Sequence, residues 1–481
     1  TTQQAYALTL AQVAAMETRD VASLSTSSVA ALQTAQVVAL RTDQAQYLAT
    51  QQVAALGTAQ VVALETQDFA ALSTNSIAAL LTAQVAALTS AELVALRTDQ
   101  AYALTTQQVL ALGTSQIAAL ETADLSAIST RSMAALTTAQ IVAMTTAQTQ
   151  GLATQQIVAL TTAQIAALET PQDLVALSTN SIAALLTSQV VALTTTQAAA
   201  LTSAQAYALT TAQLVGMETA DFAALNTSAI AALRTLQVVA LTSADIIALR
   251  TDQAQALVTQ QAAALTATQW AAMETADFAA LSTSAIAGLS AAQVGSLSTA
   301  DLVALRTDQA QALTTLQAFT LTTAQLVALE TADFAALNTS AIAALKTLQI
   351  AALTTAEIMA FSSVQTAALI TQQVAAMGTA QIAALEGDDF AALSSASVIN
   401  LLTAQIVALT TSDLAALASS QAVALTTKQI VALETVDLAS MSASSFAALL
   451  TAQIAALTTS QAAALTTIEM NALTAAQMQA M

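Results

Sequence analysis

The sequence contains neither cysteine nor histidine, has a single proline, and only 8% of its 481 residues are charged. Without His or Cys, a Ser-His-Asp triad, a Cys-His pair, a zinc finger and a thiol redox centre are all excluded. No combination of acid, base and nucleophile stands out elsewhere. We therefore expect a protein that is not an enzyme, with no catalytic or cofactor-binding residues.

Basic residues are also scarce, with nine Lys and Arg against 29 Asp and Glu and a net charge of −20. Nucleic-acid binding requires a basic surface that displaces counterions from phosphates, so this class is excluded. Long apolar runs are missing too. Although 56% of residues are hydrophobic, polar residues interrupt every apolar stretch well before the ~18 residues that a membrane-spanning helix needs.

What the chain does contain is an eight-residue repeat, the octad, which recurs roughly sixty times from end to end. We number its positions 1 to 8. Position 1 varies, position 2 is almost always Thr or Ser, and position 4 is mostly Gln. Position 5 is apolar, position 7 is nearly always Ala, and position 8 is Leu or Met. Four successive octads are ETADFAAL, NTSAIAAL, KTLQIAAL and TTAEIMAF at 330–361.

The octad predicts one short helix per repeat. A continuous helix would drift by about 80° per octad, so its apolar stripe would wind around the surface. Thr at position 2 suits an N-cap, and Gln, Asp or Glu at position 4 suits the first turn. Where position 1 is also Thr, as in TTAQ at 161–164, a capping box becomes available. Positions 5 and 8 share one face.

Such short helices cannot be stable alone, so neighbouring octads must stack. The predicted fold class is all-α, a solenoid of very short Thr-capped helices over a single continuous array, residues 1–481. The alternative is a β-solenoid, which explains the Thr, Val and Ile. It places positions 5 and 8 on opposite faces, however, and Ala is depleted in strands. We expect the array to be an excerpt from a longer chain.

A longer repeat is superimposed on the octad. Octads of the form Glu-Thr-x-Asp recur every 48 to 56 residues, on average about 52, or 6.5 octads. This spacing predicts a superhelix with about 6.5 octads per turn, or a simple fraction of that, on which these octads form a stripe. Five of the eight Phe residues occupy position 5 of these octads. The Asp residues are Asp20, Asp68, Asp124, Asp173, Asp221, Asp277, Asp333, Asp389, whose octad has Gly387 in place of Thr, and Asp437.

Most charges therefore hold fixed angular positions. A second family, Arg-Thr-Asp-Gln-Ala, starts at Arg41, Arg97, Arg250 and Arg306. One interpretation is that the acidic stripe and these arginines pair between successive turns and set the register, as charges do in coiled coils. The other is that stacked carboxylates coordinate Ca²⁺. The candidate ligands are Glu65, Asp68, Glu274, Asp277, Glu330 and Asp333.

Two further substitutions follow the pattern. Tyr6, Tyr47, Tyr102 and Tyr207 follow an Ala at position 5 of their octads, which predicts that they replace the bulky core residue. The octad after each Glu-Thr-x-Asp octad has Ser or Ala at position 4. This small residue indicates a tighter neighbour at that point.

The sequence resembles the LTTAQIAAL-type tracts of giant secreted proteobacterial proteins described as repetitive, adhesin-like or calcium-binding. The resemblance rests on ALTTAQIVAM (135–144) and ALTTAQIAAL (159–168) and extends over essentially all 481 residues. It implies a secreted or cell-surface bacterial fibre that self-associates or contacts neighbouring copies. The GGxGxD motif of calcium-dependent exported proteins is missing.

Two functions follow as expectations. The first is a structural extracellular filament, stalk, or biofilm-matrix or adhesin repeat region. The alternative is a surface-binding module for ice or glycan that uses the periodic Thr and Ser face.

Overall fold

The computed structural model describes residues 1–168 and 172–481, which form two compact units, Thr1–Ala240 and Leu241–Met481. All regular elements in these described residues are helices of four to six residues, and none is a strand. The all-α solenoid prediction is confirmed, and the β-solenoid alternative is wrong. The irregular ETPQD octad, with its extra residue at Pro171, falls partly outside the described residues.

The first unit contains helices α1 to α30. Their bounds are, in order, Thr2–Tyr6, Leu10–Ala15, Thr18–Ser23, Thr26–Ala30, Thr34–Val38, Thr42–Gln46, Thr50–Ala55, Thr58–Val62, Thr66–Ala71, Thr74–Ala79, Thr82–Ala87, Ser90–Val94, Thr98–Ala103, Thr106–Ala111, Thr114–Ala119, Thr122–Ala127, Thr130–Ala135, Thr138–Val142, Thr146–Gly151, Thr154–Ala159, Thr162–Ala166, Gln172–Ala176, Thr179–Ala184, Thr187–Val191, Thr195–Ala200, Ser203–Ala208, Thr211–Gly216, Thr219–Ala224, Thr227–Ala232 and Thr235–Ala240.

The second unit contains helices α31 to α60. Their bounds are, in order, Ser243–Ile247, Thr251–Ala256, Thr259–Ala264, Ala267–Ala272, Thr275–Ala280, Thr283–Ala287, Ala291–Ser296, Thr299–Val303, Thr307–Gln311, Thr315–Thr320, Thr323–Val327, Thr331–Ala336, Thr339–Ala344, Thr347–Ala352, Thr355–Met359, Ser363–Ala368, Thr371–Ala375, Thr379–Ile382, Gly387–Ala392, Ser395–Ile399, Thr403–Val407, Thr411–Ala416, Ser419–Ala424, Thr427–Ala432, Thr435–Leu438, Ala443–Ala447, Thr451–Ile454, Thr459–Ala463, Thr467–Ala472 and Ala475–Ala480.

The N-cap of these helices lies at octad position 1. In α21 the N-cap is Thr161, with φ −73° and ψ 162°, and its hydroxyl accepts from the backbone N–H of Gln164. This confirms the capping box in TTAQ. The assignment of position 2 as N-cap is wrong, because Thr162 is already the first helical residue. A capping hydroxyl must lie three residues before the N–H that it accepts, and only position 1 stands at that distance from position 4.

Each helix ends where two extended residues redirect the chain. Leu56, at position 8, has φ −61° and ψ 141°, and the following Gly57 has φ −71° and ψ 161°. These angles lie outside the helical region, so every octad boundary is a corner. Positions 4, 5 and 8 turn inward, as in Gln52, Val53 and Leu56, which are all buried. The predicted apolar face at positions 5 and 8 is confirmed.

Stacking follows a rule of three helices. In the first unit α10 contacts α7 and α13, and in the second α43 contacts α40 and α46. Side-chain hydrogen bonds between successive turns join residues 25 to 32 apart, or three to four octads. The prediction of about 6.5 octads per turn is therefore wrong by a factor of two. Half of that value, which is one of the simple fractions that the prediction also allowed, agrees with the structure. The spacing of the Glu-Thr-x-Asp octads shows how often they recur along the chain, but it does not show how many turns of the solenoid lie between them.

No helix among the described residues is long and apolar enough to cross a membrane.

Candidate functional site: buried polar bridges and the acidic column

The glutamine at position 4 is buried and connects successive turns of the solenoid. Gln84, which is 1% exposed, accepts from the backbone N–H of Leu81 at 2.6 Å through Oε1. Its Nε2 donates to the carbonyl oxygens of Val53 and Leu56 at 2.9 and 2.7 Å. One side chain thus satisfies the free N-terminal N–H of one helix and free C-terminal carbonyls of another. We call this arrangement the turn bridge.

The turn bridge recurs throughout both units, with Nε2 donating to carbonyls 28 and 31 residues earlier. The sequence pattern predicts that position 4 lies in the first helical turn, but it does not reveal the bridge, because a contact between turns leaves no local signal. Glutamines that make it include Gln44, Gln108, Gln140, Gln148, Gln156, Gln164, Gln213, Gln237, Gln317, Gln349, Gln373, Gln381, Gln429 and Gln461.

Some octads without glutamine at position 4 donate to the preceding turn in other ways. Ser76 Oγ donates to the carbonyl of Leu48 at 3.2 Å. Where Ala229 occupies position 4, Asn226 at position 1 supplies the donor, and its Nδ2 lies 2.8 Å from the carbonyl oxygen of Leu201. These two octads, each of which follows a Glu-Thr-x-Asp octad, therefore keep a hydrogen bond to the previous turn without the glutamine.

The aspartates of the Glu-Thr-x-Asp octads form the acidic column. Asp68 is 1% exposed, and its Oδ1 accepts from the hydroxyl of Thr42 at 2.7 Å. Asp333 accepts in the same way from Thr307 at 2.8 Å. Burial raises the pKa of Asp68, and repulsion from Glu65 adds to this effect against the opposing hydrogen bond from Thr42. In both of these cases the donor threonine belongs to an Arg-Thr-Asp-Gln octad, whereas Asp389 accepts from Ser363 of an uncharged octad.

The structure separates the two carboxylates of each candidate calcium site. Asp68, Asp277 and Asp333 are buried, whereas the glutamates at position 1 of the same octads are exposed N-cap residues: Glu65, Glu274 and Glu330. Burial also raises the pKa of Asp277 and Asp333. Across residues 1–168 and 172–481, no three Asp or Glu side chains lie close enough together to hold a metal ion. Calcium prefers six to eight oxygen ligands.

The arginines pair within their own octad rather than between turns. Arg97 Nε lies 3.0 Å from Asp99 Oδ1, and this contact holds the pKa of Asp99 below its ordinary value. A second guanidinium nitrogen of Arg97 donates to the backbone carbonyl of Ala70 on the preceding turn. The interpretation that these arginines pair with carboxylates of the next turn and so set the register is therefore wrong. The carboxylate two residues later in the same octad lies nearer than any carboxylate on the next turn.

Phenylalanine marks the interior of the acidic column. The largest fully buried side chains include Phe69, Phe222, Phe278, Phe334 and Phe390, each directly after a column aspartate. Phe334 also stacks edge-on against Phe361, with ring centroids 5.3 Å apart. The prediction that the stripe of Glu-Thr-x-Asp octads has a distinctive interior is confirmed.

Comparison with known families identifies the repeat. A family model for the ALTTAQ repeat matches nine segments that together make up more than half of the chain: 13–50, 61–98, 117–154, 171–203, 214–251, 270–305, 326–363, 382–419 and 430–467. The chain belongs to the ALTTAQ-repeat family. No curated protein and no solved structure matches it.

The six letters of the ALTTAQ repeat describe one corner of this fold. They correspond to positions 7, 8, 1, 2, 3 and 4, so they contain the buried Leu, the N-cap and the bridging Gln. In 159–164, for example, Leu160 is buried, Thr161 caps α21, and Gln164 donates to the carbonyls of Met133 and Leu136. The repeat thus specifies where one helix ends, how the next begins, and how both attach to the previous turn.

The exterior of this ALTTAQ-repeat protein carries the tyrosines that follow an Ala at position 5. Tyr6, Tyr47, Tyr102 and Tyr207 are 59%, 57%, 70% and 57% exposed, so their assignment to the core is wrong. Of the adjacent positions 5 and 6, only position 5 turns inward, so an Ala at position 5 does not bring the side chain of position 6 into the core. Arg234, at position 1 four octads after Tyr207, lies over its ring at 5.3 Å.

Proposed function

We propose that this ALTTAQ-repeat chain is a structural repeat region of an extracellular filament, stalk, biofilm matrix or adhesin, without catalytic activity. The turn bridge is the observation that carries the proposal. Hydrogen bonds of Gln381 to the carbonyls of Ile350 and Leu353, at 2.8 and 2.7 Å, tie one octad to the octad four before it. Equivalent bonds recur along both units, so load is shared among many similar contacts.

The energetics of repeat proteins support a mechanical role. Stability in such arrays is approximately the sum of each repeat's own contribution and its contacts with neighbours. Among residues 1–168 and 172–481, most buried residues are packing and bridging residues of one repeated type. A chain of this design gains resistance by adding octads rather than by building a special site.

The surface and the resemblance support an extracellular location. A net charge of −20 keeps the chain soluble and reduces non-specific association. Secretion by a bacterium, attachment to its surface and contacts with neighbouring copies follow from the likeness to giant proteobacterial repeat tracts. Self-association is tested by sedimentation velocity over a range of concentrations, and a monomer at every concentration would contradict that part of the proposal.

Force spectroscopy tests the mechanical role. The full chain is tethered by its two ends and stretched, and we expect extension in many small, reversible steps because each turn is held by similar contacts. A variant with Met in place of the bridging residues Gln349, Gln373 and Gln381 should extend at lower force. The matched control replaces Gln372, an exposed glutamine at position 3, and should extend like the wild type. A single abrupt loss of the whole structure at low force would contradict the proposal.

Location is tested separately. Antibodies raised against the chain should label intact cells of the producing organism, and external protease should remove the signal. Labelling that appears only after lysis would contradict the extracellular location. It would leave the proposed mechanical role unaffected.

Exposed tyrosines favour one alternative, a surface-binding module for glycan. Aromatic rings that protrude from a surface are suited to contact with other molecules, and Tyr102 is 70% exposed beside exposed Thr98. A glycan array probed with the chain and with a Tyr102→Ala variant tests this version. The ice-binding version is tested by thermal hysteresis, and no hysteresis at high concentration would remove it.

A further inference from the structure

Two basic residues of the chain lie over aromatic rings on its surface. The guanidinium of Arg234 is 5.3 Å from the centre of the Tyr207 ring, and Nζ of Lys346 is 4.3 Å from that of Phe319. In both pairs the base follows the ring by 27 residues. Arg234 also donates to the carbonyl of Leu209 at 2.8 Å. The ring attracts the cation, so these exposed bases hold defined positions.

The octads of these two bases differ from the other basic octads at position 3. In the Arg-Thr-Asp-Gln octads, the aspartate at position 3 pairs with the arginine at position 1, as Asp308 does with Arg306 at 3.0 Å. The octads of the two bases have leucine in place of this aspartate. Leu236 and Leu348 are 73% and 75% exposed, more than any other large apolar side chain of the described residues.

No carboxylate of the described residues replaces the missing aspartate. The ion pairs there involve five other arginines, and neither Arg234 nor Lys346 takes part in one. Each base thus presents a positive charge beside an exposed leucine. We call these two surfaces the basic patches, and they consist of Tyr207, Arg234 and Leu236 in the first unit and Phe319, Lys346 and Leu348 in the second.

The acidic column supplies a surface of complementary charge. The glutamates at position 1 of its octads are exposed, and the following ones form no ion pair among the described residues: Glu65, Glu121, Glu218, Glu274, Glu330, Glu386 and Glu434. Glu434 matches a basic patch best, because Val436 at position 3 of its octad is 65% exposed. A carboxylate and an apolar side chain there occupy the positions that Lys346 and Leu348 occupy in the patch.

We propose that the basic patches bind a second copy of this chain. Arg234 and Lys346 of one copy each pair with an exposed position-1 glutamate of the other, and the adjacent leucine packs against the side chain at position 3. This inference rests on the self-association in the proposed function and names the surfaces that produce it.

Charge determines where two copies approach each other. Each copy carries a net charge of −20, so most of its surface repels another copy, and bases without an internal partner are the places where attraction prevails. An exposed ion pair alone contributes little. Burial of Leu236 or Leu348 at the contact adds the hydrophobic contribution that the pair lacks.

Sedimentation velocity of the full chain over a range of concentrations tests the proposal. The double variant Leu236→Asp and Leu348→Asp introduces at position 3 the aspartate that four other basic octads already carry, so it should fold. Each base then pairs within its own octad and the apolar contact is lost. We expect the association constant between copies to fall about tenfold or more.

The matched control is the double variant Val364→Asp and Ile468→Asp. These residues are also exposed and apolar at position 3, at 69% and 66%, but their octads contain no basic residue. The control adds the same two negative charges and should associate like the wild type. An equal loss in both variants would show that added charge, rather than the basic patches, weakens association, and would overturn the proposal.

Cross-linking identifies the partner surface directly. A carbodiimide joins an amine to a carboxylate in contact with it, and a mixture of ¹⁴N- and ¹⁵N-labelled chains distinguishes links between copies from links within one. We expect Lys346 of one copy to be linked to a position-1 glutamate of the other. Glu434→Gln should reduce the amount of this product.

The outcomes separate this inference from the proposed function. Wild-type association that Leu236→Asp and Leu348→Asp leave unchanged would overturn the role of the basic patches and leave self-association intact. A wild type that is monomeric at every concentration would contradict both, whereas the mechanical role is measured independently by stretching. Binding of an acidic glycan to the patches of a monomeric chain would overturn the second copy as their occupant.

Discussion

The hydroxyl of Thr42 donates to the buried carboxylate of Asp68 over 2.7 Å, although 26 residues separate the two. That separation is half of the average interval between column aspartates. One contact therefore shows that the acidic column returns on every second turn and that an Arg-Thr-Asp-Gln octad lies between two Glu-Thr-x-Asp octads.

Loss of a turn bridge should weaken the solenoid locally. In Gln84→Met the N–H of Leu81 and the carbonyls of Val53 and Leu56 lose their partner, and we expect a cost of about 1–3 kcal/mol. Urea unfolding and hydrogen exchange of 49–88 measure it. The control is Gln67→Met, which changes an exposed glutamine at position 3 that pairs only with Glu65. Equal effects of both variants would contradict the importance of the bridge.

Acid should stabilise the column at Asp68. Because burial raises the folded-state pKa of Asp68 above its ordinary 3.8, the folded chain binds this proton more tightly than the unfolded chain. The contribution of this proton to the free energy of unfolding is complete below pH ~4, and it is lost as pH rises through the pKa of Asp68 in the folded chain. Urea midpoints of the wild type should therefore fall from pH 4.5 to pH 7, and Asp68→Asn should reduce this dependence.

Asp43 provides a control of opposite sign. The guanidinium of Arg41 holds the pKa of Asp43 below its ordinary value, so its contribution is present above the unfolded pKa and is lost as pH falls through the folded one. Because Asp43 is exposed, Asp43→Asn should change the midpoint little at any pH. If it flattened the profile as much as Asp68→Asn, burial of the column would not be the cause.

The column phenylalanines should be more important for stability than the exposed ones. Phe69→Ala removes a fully buried ring and should cost about 3–5 kcal/mol. Phe319→Ala removes a ring that is 48% exposed and lies under Lys346, and it should cost much less. Chemical denaturation of both variants measures the difference, and similar losses would count against the inward assignment of position 5.

Register should depend on whole octads. Deletion of 49–56 removes one complete octad between Thr42 and Asp68, which leaves every remaining octad able to form its turn bridge but breaks that hydrogen bond. Deletion of 49–52 shifts all later positions by half an octad and should disrupt the adjacent helices. Far-UV circular dichroism should retain the double minimum at about 208 and 222 nm per residue only for the first variant. Equal loss in both would contradict independent octads.

The N-cap at position 1 gives a simple contrast. Thr161→Ala removes the hydroxyl that accepts from Gln164 N–H, and caps of this kind are worth about 0.5–2 kcal/mol. Thr162→Ala changes an exposed first helical residue and should have almost no effect. Thermal melts distinguish the two. A greater loss from Thr162→Ala would restore position 2 as the cap.

The sequence by itself determined the period, the helical class, the inward positions 5 and 8 and the distinct interior of the Phe-containing stripe. These features depend on local rules, because helix capping and the apolar spacing act within one octad. Even the capping box at Thr161 and Gln164 could be predicted, since both partners lie within four residues.

Only the tertiary structure decided which octads meet. The two extended residues at each corner, such as Leu56 and Gly57, set the curvature, and this angle determines the number of octads per turn. The bridge from Gln84 to Leu56, the burial of Asp68 and the exposure of Tyr102 all follow from that curvature. Because they join residues about three to four octads apart or depend on such a neighbour, no local pattern could specify them.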